Sequence, residues 1–351
     1  MSTLIHVNHV SRSFNSLKKE EGWKGALKLL YDRQYSTHQA LEDVSFSIES
    51  GSFVGLIGAN GAGKTTLLKI LSGLLPPSTG EVSVLGETPF HRSRKFRKSI
   101  ALVMGQKAQL WWDLPAIDAF ELIRAVYEIS TPDYRERLSY LSELLDVTKH
   151  LQTQIRRLSL GERMKMELIG ALLHWPQVVY LDEPTIGLDV LAAHKLREFL
   201  KTYNRQNKST IILTSHNMDD IEQLCSRVMI LKSGKMLYDG TPGKLLNEGE
   251  RVMKVTLKET TSVSELAGHT AIAESAIEAT SSGPNVENPA QAQKTDATTA
   301  AQTFRIKLLQ TDVPRVLQKI MSGNTLLDMA LEEPDLESVI QRIYEKGDLS
   351  E

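Results

Sequence analysis

Apolar and polar residues along the chain follow two periods, and the switches between them predict its elements. Residues 4–10 alternate as a strand that Phe14 closes, and residues 40–48 alternate again. Between them, residues 15–38 break the pattern. In this insertion Trp23, Leu27, Leu30 and Tyr31 fall at helical spacing, with Lys24 and Lys28 on another face. That predicts a short amphipathic helix, packed on its own domain or lying against a membrane partner or lipid headgroups. Residues 53–57 form a largely apolar run, after which Leu67, Leu68, Ile70 and Leu71 return to the helical period. Strands are predicted at 81–85 and 99–104, and helices over 116–146 with a break at Thr131-Pro132-Asp133. Another helix follows residues 158–162 and runs through Leu173. Val178-Val179-Tyr180-Leu181 has the unbroken apolar character of a strand buried on both faces. Helix 190–206, strand 210–214, helix 218–225 and strand 228–231 then continue an α/β alternation, the pattern of a sheet with helices packed on it.

The pattern changes after Asn247, which places a domain boundary between 1–246 and 247–351. Residues 252–257 and 304–309 read as strands, and 313–321 and 336–344 as helices, so a small α/β domain is expected. Between its strands, 260–303 is rich in Ala, Thr, Ser, Gln and Asn, with almost no large apolar residue after Ile277. Such a tract buries too little surface to offset its ordering entropy, and much of it is expected to be disordered.

A length of 351 residues suits a large domain plus a smaller one, and the net charge of −2 supplies no overall drive toward nucleic acid or anionic lipid. The basic cluster at 91–98 lacks interleaved aromatics beyond Phe96, so a solvated helix face is expected there rather than a nucleic-acid contact. The single cysteine, Cys225, excludes an intrachain disulfide and fits a reducing compartment. No apolar run approaches the ~20 residues needed to cross a bilayer, so a soluble chain is expected, reaching any membrane through a partner.

The strongest chemical signal is Gly58-Ala59-Asn60-Gly61-Ala62-Gly63-Lys64-Thr65-Thr66, between a predicted strand and a predicted helix. That is the context in which G-x-x-x-x-G-K-[ST] forms a phosphate-binding P-loop. The glycines let backbone N–H groups curl into an anion-binding nest, and the helix start adds the positive end of its dipole. Lys64 is placed to reach the β- and γ-phosphates, and Thr65 to offer its hydroxyl to Mg²⁺. Asp182, at the end of the buried strand, is placed to hold the metal. Glu183 beside it is placed to orient or deprotonate an attacking water.

Two successive acids followed by Pro184-Thr185-Ile186-Gly187-Leu188-Asp189 resemble the ATP-binding subunits of ABC transporters, and the likeness runs over residues 4–245. It implies roles for further residues: Phe14 stacking on adenine, Gln106 sensing Mg²⁺ and the transmembrane partner, and His216 contacting the γ-phosphate. Leu158-Ser159-Leu160-Gly161-Glu162 resembles the signature Leu-Ser-Gly-Gly-Gln, so Ser159 and Gly161 are expected to face the nucleotide of an opposing subunit, and Asp189 to lie in the loop crossing the dimer. Leu160 and Glu162 depart from that signature, and the charge of Glu162 is expected to be offset by Arg163 or Lys165.

The fold implied is an α/β P-loop domain with a mainly parallel sheet core, an antiparallel β subdomain and a helical subdomain. The function implied is ATP hydrolysis by a dimer, a homodimer or one formed with a related ATPase subunit, that drives separate integral-membrane permease subunits at the cytoplasmic face of the membrane. Leu110-Trp111-Trp112-Asp113-Leu114-Pro115, the insertion and the C-terminal domain resemble the branch serving exporters and efflux permeases. The alternative is a soluble member of the superfamily acting on ribosomes or nucleic acid. Such proteins usually carry a second cassette or a long coiled coil, and neither pattern occurs in this sequence.

Overall fold

The computed structural model describes residues 3–17, 35–105, 108–245, 250–258, 261–270, 272–280 and 302–332, together with 336, 339–340 and 343–344. The chain divides into two compact units, one up to Pro242 and one from Gly243 to Glu345. The stripe of Trp23, Leu27, Leu30 and Tyr31 lies outside the described residues, as does Gln106.

In the first unit β1 (Thr3–Leu17) pairs antiparallel with β2 (Tyr35–Glu49). Next come β3 (Phe53–Gly58), α1 (Lys64–Leu71) and β4 (Thr79–Val84), which pairs with the other edge of β1. After α2 (Arg94–Ser99) and β5 (Ile100–Met104) the chain forms three helices: α3 (Ala116–Tyr127), α4 (Thr131–Leu144) and α5 (Leu160–Leu172). Then follow β6 (Val178–Asp182), α6 (Val190–Asn207), β7 (Thr210–Thr214), α7 (Met218–Leu224), β8 (Arg227–Lys232) and β9 (Lys235–Gly240).

A six-stranded sheet has the order β5-β6-β7-β3-β8-β9, parallel except for β9. Its central strand β3 is buried at every residue, as its apolar run requires. Helix α1 is wedged between this sheet and the antiparallel sheet β2-β1-β4: Leu67, Leu68, Ile70 and Leu71 share one core with Ile5, Val7, Val44 and Phe46 on one side and Val54, Leu56 and Tyr180 on the other. Each such side chain contributes roughly 1.5–3 kcal/mol by leaving water. The Tyr180 hydroxyl donates to the Leu71 carbonyl (3.1 Å), pinning the C-terminal end of α1 to β6. Helices α3 and α4 pack against α5 as a helical layer. The break at Thr131-Pro132-Asp133 is a helix start: Ser130 caps α4 by accepting from Asp133 N, with Pro132 in the first turn.

The structure departs from the expected elements in three places. Pairing of β1 with β2 continues through Asn15↔Thr37 and Leu17↔Tyr35, so both ends of the span 15–38 are strand. Backbone bonds and a Thr37–Asn15 side-chain hydrogen bond (3.0 Å) hold this ribbon, and its polar residues carry no alternation to betray it. Strand β9, which periodicity did not single out, returns from β8 through Ser233 and Gly234, both at positive φ.

The third departure is in the second unit, where the tract of which much was expected to be disordered is folded in its first part. The unit runs β10 (Glu250–Leu257), α8 (Val263–Thr270), β11 (Ile277–Thr280), β12 (Gln302–Leu309), α9 (Val313–Gly323) and β13 (Leu326–Glu332). Its antiparallel sheet has the order β11-β12-β10-β13, the split β-α-β-β-α-β arrangement. Leu266, Ala267 and Ile277 lie in its core with Met253, Val255, Phe304, Ile306, Val316 and Ile320. A few well-spaced apolar residues at the start of the tract suffice to fold it through Thr280. Residues 281–301 lie outside the described residues.

Candidate functional site

Strand β3 ends at Gly58, and the chain turns through Ala59 to Gly63 into α1. Gly63 has φ +107°, and a Cβ there would lie 2.5 Å from the Ala40 carbonyl oxygen, so only glycine fits where the loop passes under β2. The resulting cleft of about 540 Å³ is lined by Phe14, the loop residues 59–63, Lys64, Thr65, Thr66, Asp182, Glu183 and His216. Lys64 is nearly buried and its ammonium donates to the carbonyls of Gly58 (2.5 Å) and Ala59 (3.3 Å). Burial pushes its pKa below the usual lysine value, and the carboxylates of Glu183 and Asp182 oppose that shift.

Asp182 and Glu183 stand at the end of β6, beside the end of β7, in register with Thr214. One oxygen of Asp182 accepts from the Thr65 hydroxyl (3.1 Å) and the other from the Thr214 hydroxyl (2.6 Å). A hydroxyl and a carboxylate converging beneath a phosphate nest form the hard-oxygen donor set that suits Mg²⁺. No group of three or more His, Cys, Asp or Glu poised for a metal occurs among the described residues, so the protein alone builds no closed cage there. Mg²⁺ does not need one, since it keeps waters and shares phosphate oxygens.

Glu183 adopts φ +57°, a left-handed conformation uncommon for a residue with a side chain. Its backbone N–H donates to Thr214, at the carbonyl and at the hydroxyl (3.1 Å each). Gly105 packs against it so closely that a Cβ would lie 2.1 Å from the Glu183 carbonyl oxygen. The Glu183 carboxylate accepts from the backbone N–H of His216 (3.3 Å) through Oε2. Its Oε1 is buried, accepts no hydrogen bond, and lies 3.2 Å from the His216 ring. His216 Nε2 is also 3.1 Å from the Asn60 side-chain oxygen, so imidazole, carboxylate and P-loop meet at one wall of the cleft.

Ser159, Gly161 and Asp189 do not join this group. Ser159 caps α5 in a reciprocal box with Glu162: the Glu162 N–H donates to the serine hydroxyl oxygen, and the Glu162 carboxylate accepts from the Ser159 N–H (2.9 Å) and hydroxyl (2.8 Å). Those hydrogen bonds hold the Glu162 carboxyl below its usual range. Of the two cations expected to offset that charge, Lys165 interacts with Glu162 electrostatically. His150 faces Glu162 at 2.9 Å, whereas Arg163 stacks over Trp112 and Lys165 donates to the Leu145 carbonyl. Asp189 caps α6 by accepting from Ala192 N–H (2.8 Å). Gly161 lies near Leu188 and Ala192, and Leu160 against Gly187, so the Ser159 turn and the Asp189 turn adjoin each other.

His38, which lines the cleft, and Thr214, which holds Asp182 beneath it, were not expected from the sequence. His38 pairs across the ribbon with Phe14, in a stretch read as insertion, and no periodicity marks it. Thr214 completes the setting of Asp182, and its place directly before Ser215-His216 was the available signal.

The family model described as ABC transporter matches residues 41–186. The chain is 32% identical over 213 residues to the ABC transporter ATP-binding protein NatA of Bacillus subtilis (strain 168), covering 61% of this chain and 86% of that protein. It is 34% identical over 216 residues to the Nod factor export ATP-binding protein I of Rhizobium sp. (strain N33), covering 62% and 70% of the two chains. Among solved structures, one described as an ATP binding subunit of an ABC transporter aligns with TM-score 0.57 and 27% identity, over 70% of this chain and 92% of that one. With its P-loop, its paired acids and these likenesses, the chain belongs to the ABC transporter family as an ATP-binding subunit, an ATPase.

Proposed function

We propose that this ATPase powers an export system, with two copies enclosing ATP between the P-loop of one and the Ser159 helix start of the other. The observation that carries the reading is that the two anion-seeking helix starts of one chain are separate: α1 opens into the cleft, and α5 does not line it. Ile186, at the rim of the cleft, is exposed together with Leu160, Val190 and Leu191, an apolar surface beside the Ser159 and Asp189 turns that a second subunit would cover. In this reading Lys64 and the loop N–H groups hold the phosphates, Phe14 stacks on the base, and Thr65, Asp182 and Gln106 hold Mg²⁺, which screens phosphate charge. Glu183 orients and deprotonates the water, and His216 fixes Glu183 while contacting the γ-phosphate.

Export is supported by the Nod factor export relative. No helix among the described residues is long and apolar enough to cross a membrane. In this reading separate chains supply the permease, and the ATPase works at the cytoplasmic face. Exposed Trp111, Trp112, Leu122 and Val126, on and beside α3, offer that permease an apolar seat. The pairing is tested by mixing variants. Lys64→Ala and Ser159→Arg each inactivate a dimer of identical chains. In a mixed dimer one composite site carries both lesions and the other carries neither. A single-turnover burst of up to about one ATP per mixed dimer is expected. A mixed dimer that forms without a burst would show that each site is completed within one chain.

A further inference from the structure

Next to Glu183 and His216 lies a second cluster whose side chains do not line the cleft. Asp220, in the first turn of α7, is fully buried. It accepts from the Thr185 hydroxyl (2.5 Å), the Ser215 hydroxyl (2.7 Å) and the guanidinium of Arg197 on α6 (2.9 Å). Thr185 is two residues after Glu183 and Ser215 is one residue before His216, so a single carboxylate grips both loops that carry the hydrolytic pair. Ser215 in turn accepts from the N–H of Asn217, which closes the turn around His216.

We infer that Asp220, held by Arg197, is a positioning residue for ATP hydrolysis, fixing the Glu183 carboxylate against His216 through Thr185 and Ser215. A buried ion pair is a poor device for stability alone, because an apolar cluster of the same volume commonly stabilises as well. What the pair supplies here is directional: three donors from three segments converge on two oxygens, so the loops after β6 and β7 cannot shift independently. Glu183 needs such a restraint. Its left-handed backbone persists only where the surroundings over-determine it. Thr214 and Gly105 restrain it from one side, and Thr185 on Asp220 restrains it from the other. Arg197 also links the network to α6, the helix that Asp189 caps, so a change at the Asp189 turn can reach Glu183 through packed side chains.

The inference rests on Glu183 as the hydrolytic base, and its test separates the two. Thr185→Val and Ser215→Ala each remove one bond to Asp220 and leave its pair with Arg197 in place. Each is expected to lower kcat about tenfold or more, since misplacement of a reacting group by ~1 Å can cost about a hundredfold. KM and ATP affinity should change less than about threefold, because the phosphate nest is untouched. Thr185→Ser should recover most of the activity. In a Glu183→Gln background the same two substitutions should reduce single-turnover hydrolysis by less than about twofold, because the group they position is already lost. Unchanged kcat in both variants, or an undiminished further loss in the Glu183→Gln background, overturns the inference. The two changes lie on different segments, so poor folding of one leaves the other to decide. If Glu183→Gln turns over ATP like the parent, the assignment of the base fails and the positioning role falls with it, a result distinct from either of the former.

Discussion

His174 lies just after α5, donates from Nε2 to the Ile100 carbonyl (3.0 Å) and stacks on Tyr127 at 3.9 Å. It thus joins the helical layer to β5. Burial drives its pKa down from 6.5 to about 4, opposed by the Ile100 carbonyl and aided by Arg137. The unfolded chain therefore binds this proton more readily across that window. The stability contributed by keeping the ring neutral is present above the unfolded value and is lost as pH falls toward the folded one. His174→Phe keeps the stacking and removes the titration. Chemical denaturation of both forms from pH 7.5 to 4 should show the parent losing roughly 2–4 kcal/mol more than the variant over the window. Equal losses would show that His174 is already accessible to protons in the fold. Glu162 illustrates the opposite setting. Its carboxylate stays ionised because the N-terminus of α5 and Ser159 supply donors to it, which is why this signature tolerates an acid where the family pattern has glutamine.

At the scale of elements, α8 shows how a local signal can sit inside a misleading composition. Ser262 and Glu265 form a capping box, with Ser262 N–H donating to the glutamate (2.9 Å) and Glu265 N–H donating to the serine hydroxyl oxygen (3.2 Å). The S-x-x-E spacing was legible in the sequence, yet the average over 260–303 outweighed it. Leu266 and Ala267 complete the helix face and Ile277 the strand after it. Deleting 262–303, which composition alone would permit, removes α8, β11 and the first residues of β12. The C-terminal unit should then unfold, seen as loss of its thermal transition and rapid proteolysis after Pro242. Deletion of 281–301 with a short Gly/Ser link should leave that transition in place. If the larger deletion leaves the unit folded, α8 and β11 contribute nothing to its core.

At the scale of the molecule, each of the two units has a core of its own: the one around α1 and the one between β10, β12, α8 and α9. A chain ending at Pro242 should therefore fold and bind ATP within about threefold of the full chain, measured by fluorescent-nucleotide titration. Loss of binding would show that the C-terminal unit props up the nucleotide site.

What the sequence determined by itself was whatever neighbouring residues settle together. The P-loop needs glycines, a lysine and a helix start within nine positions, the buried strands announce themselves by unbroken apolar runs, and Asp182-Glu183 follows directly from one of them. Tertiary structure decided what depends on residues distant in the chain. Phe14 meets His38 only because a polar ribbon pairs, Thr214 meets Asp182 only because β6 and β7 lie side by side in register, and Asp220 gathers Thr185, Arg197 and Ser215 from three segments. Such contacts leave no period in the sequence, because the hydrogen bonds and burial that fix them form only when the sheet brings its strand ends together.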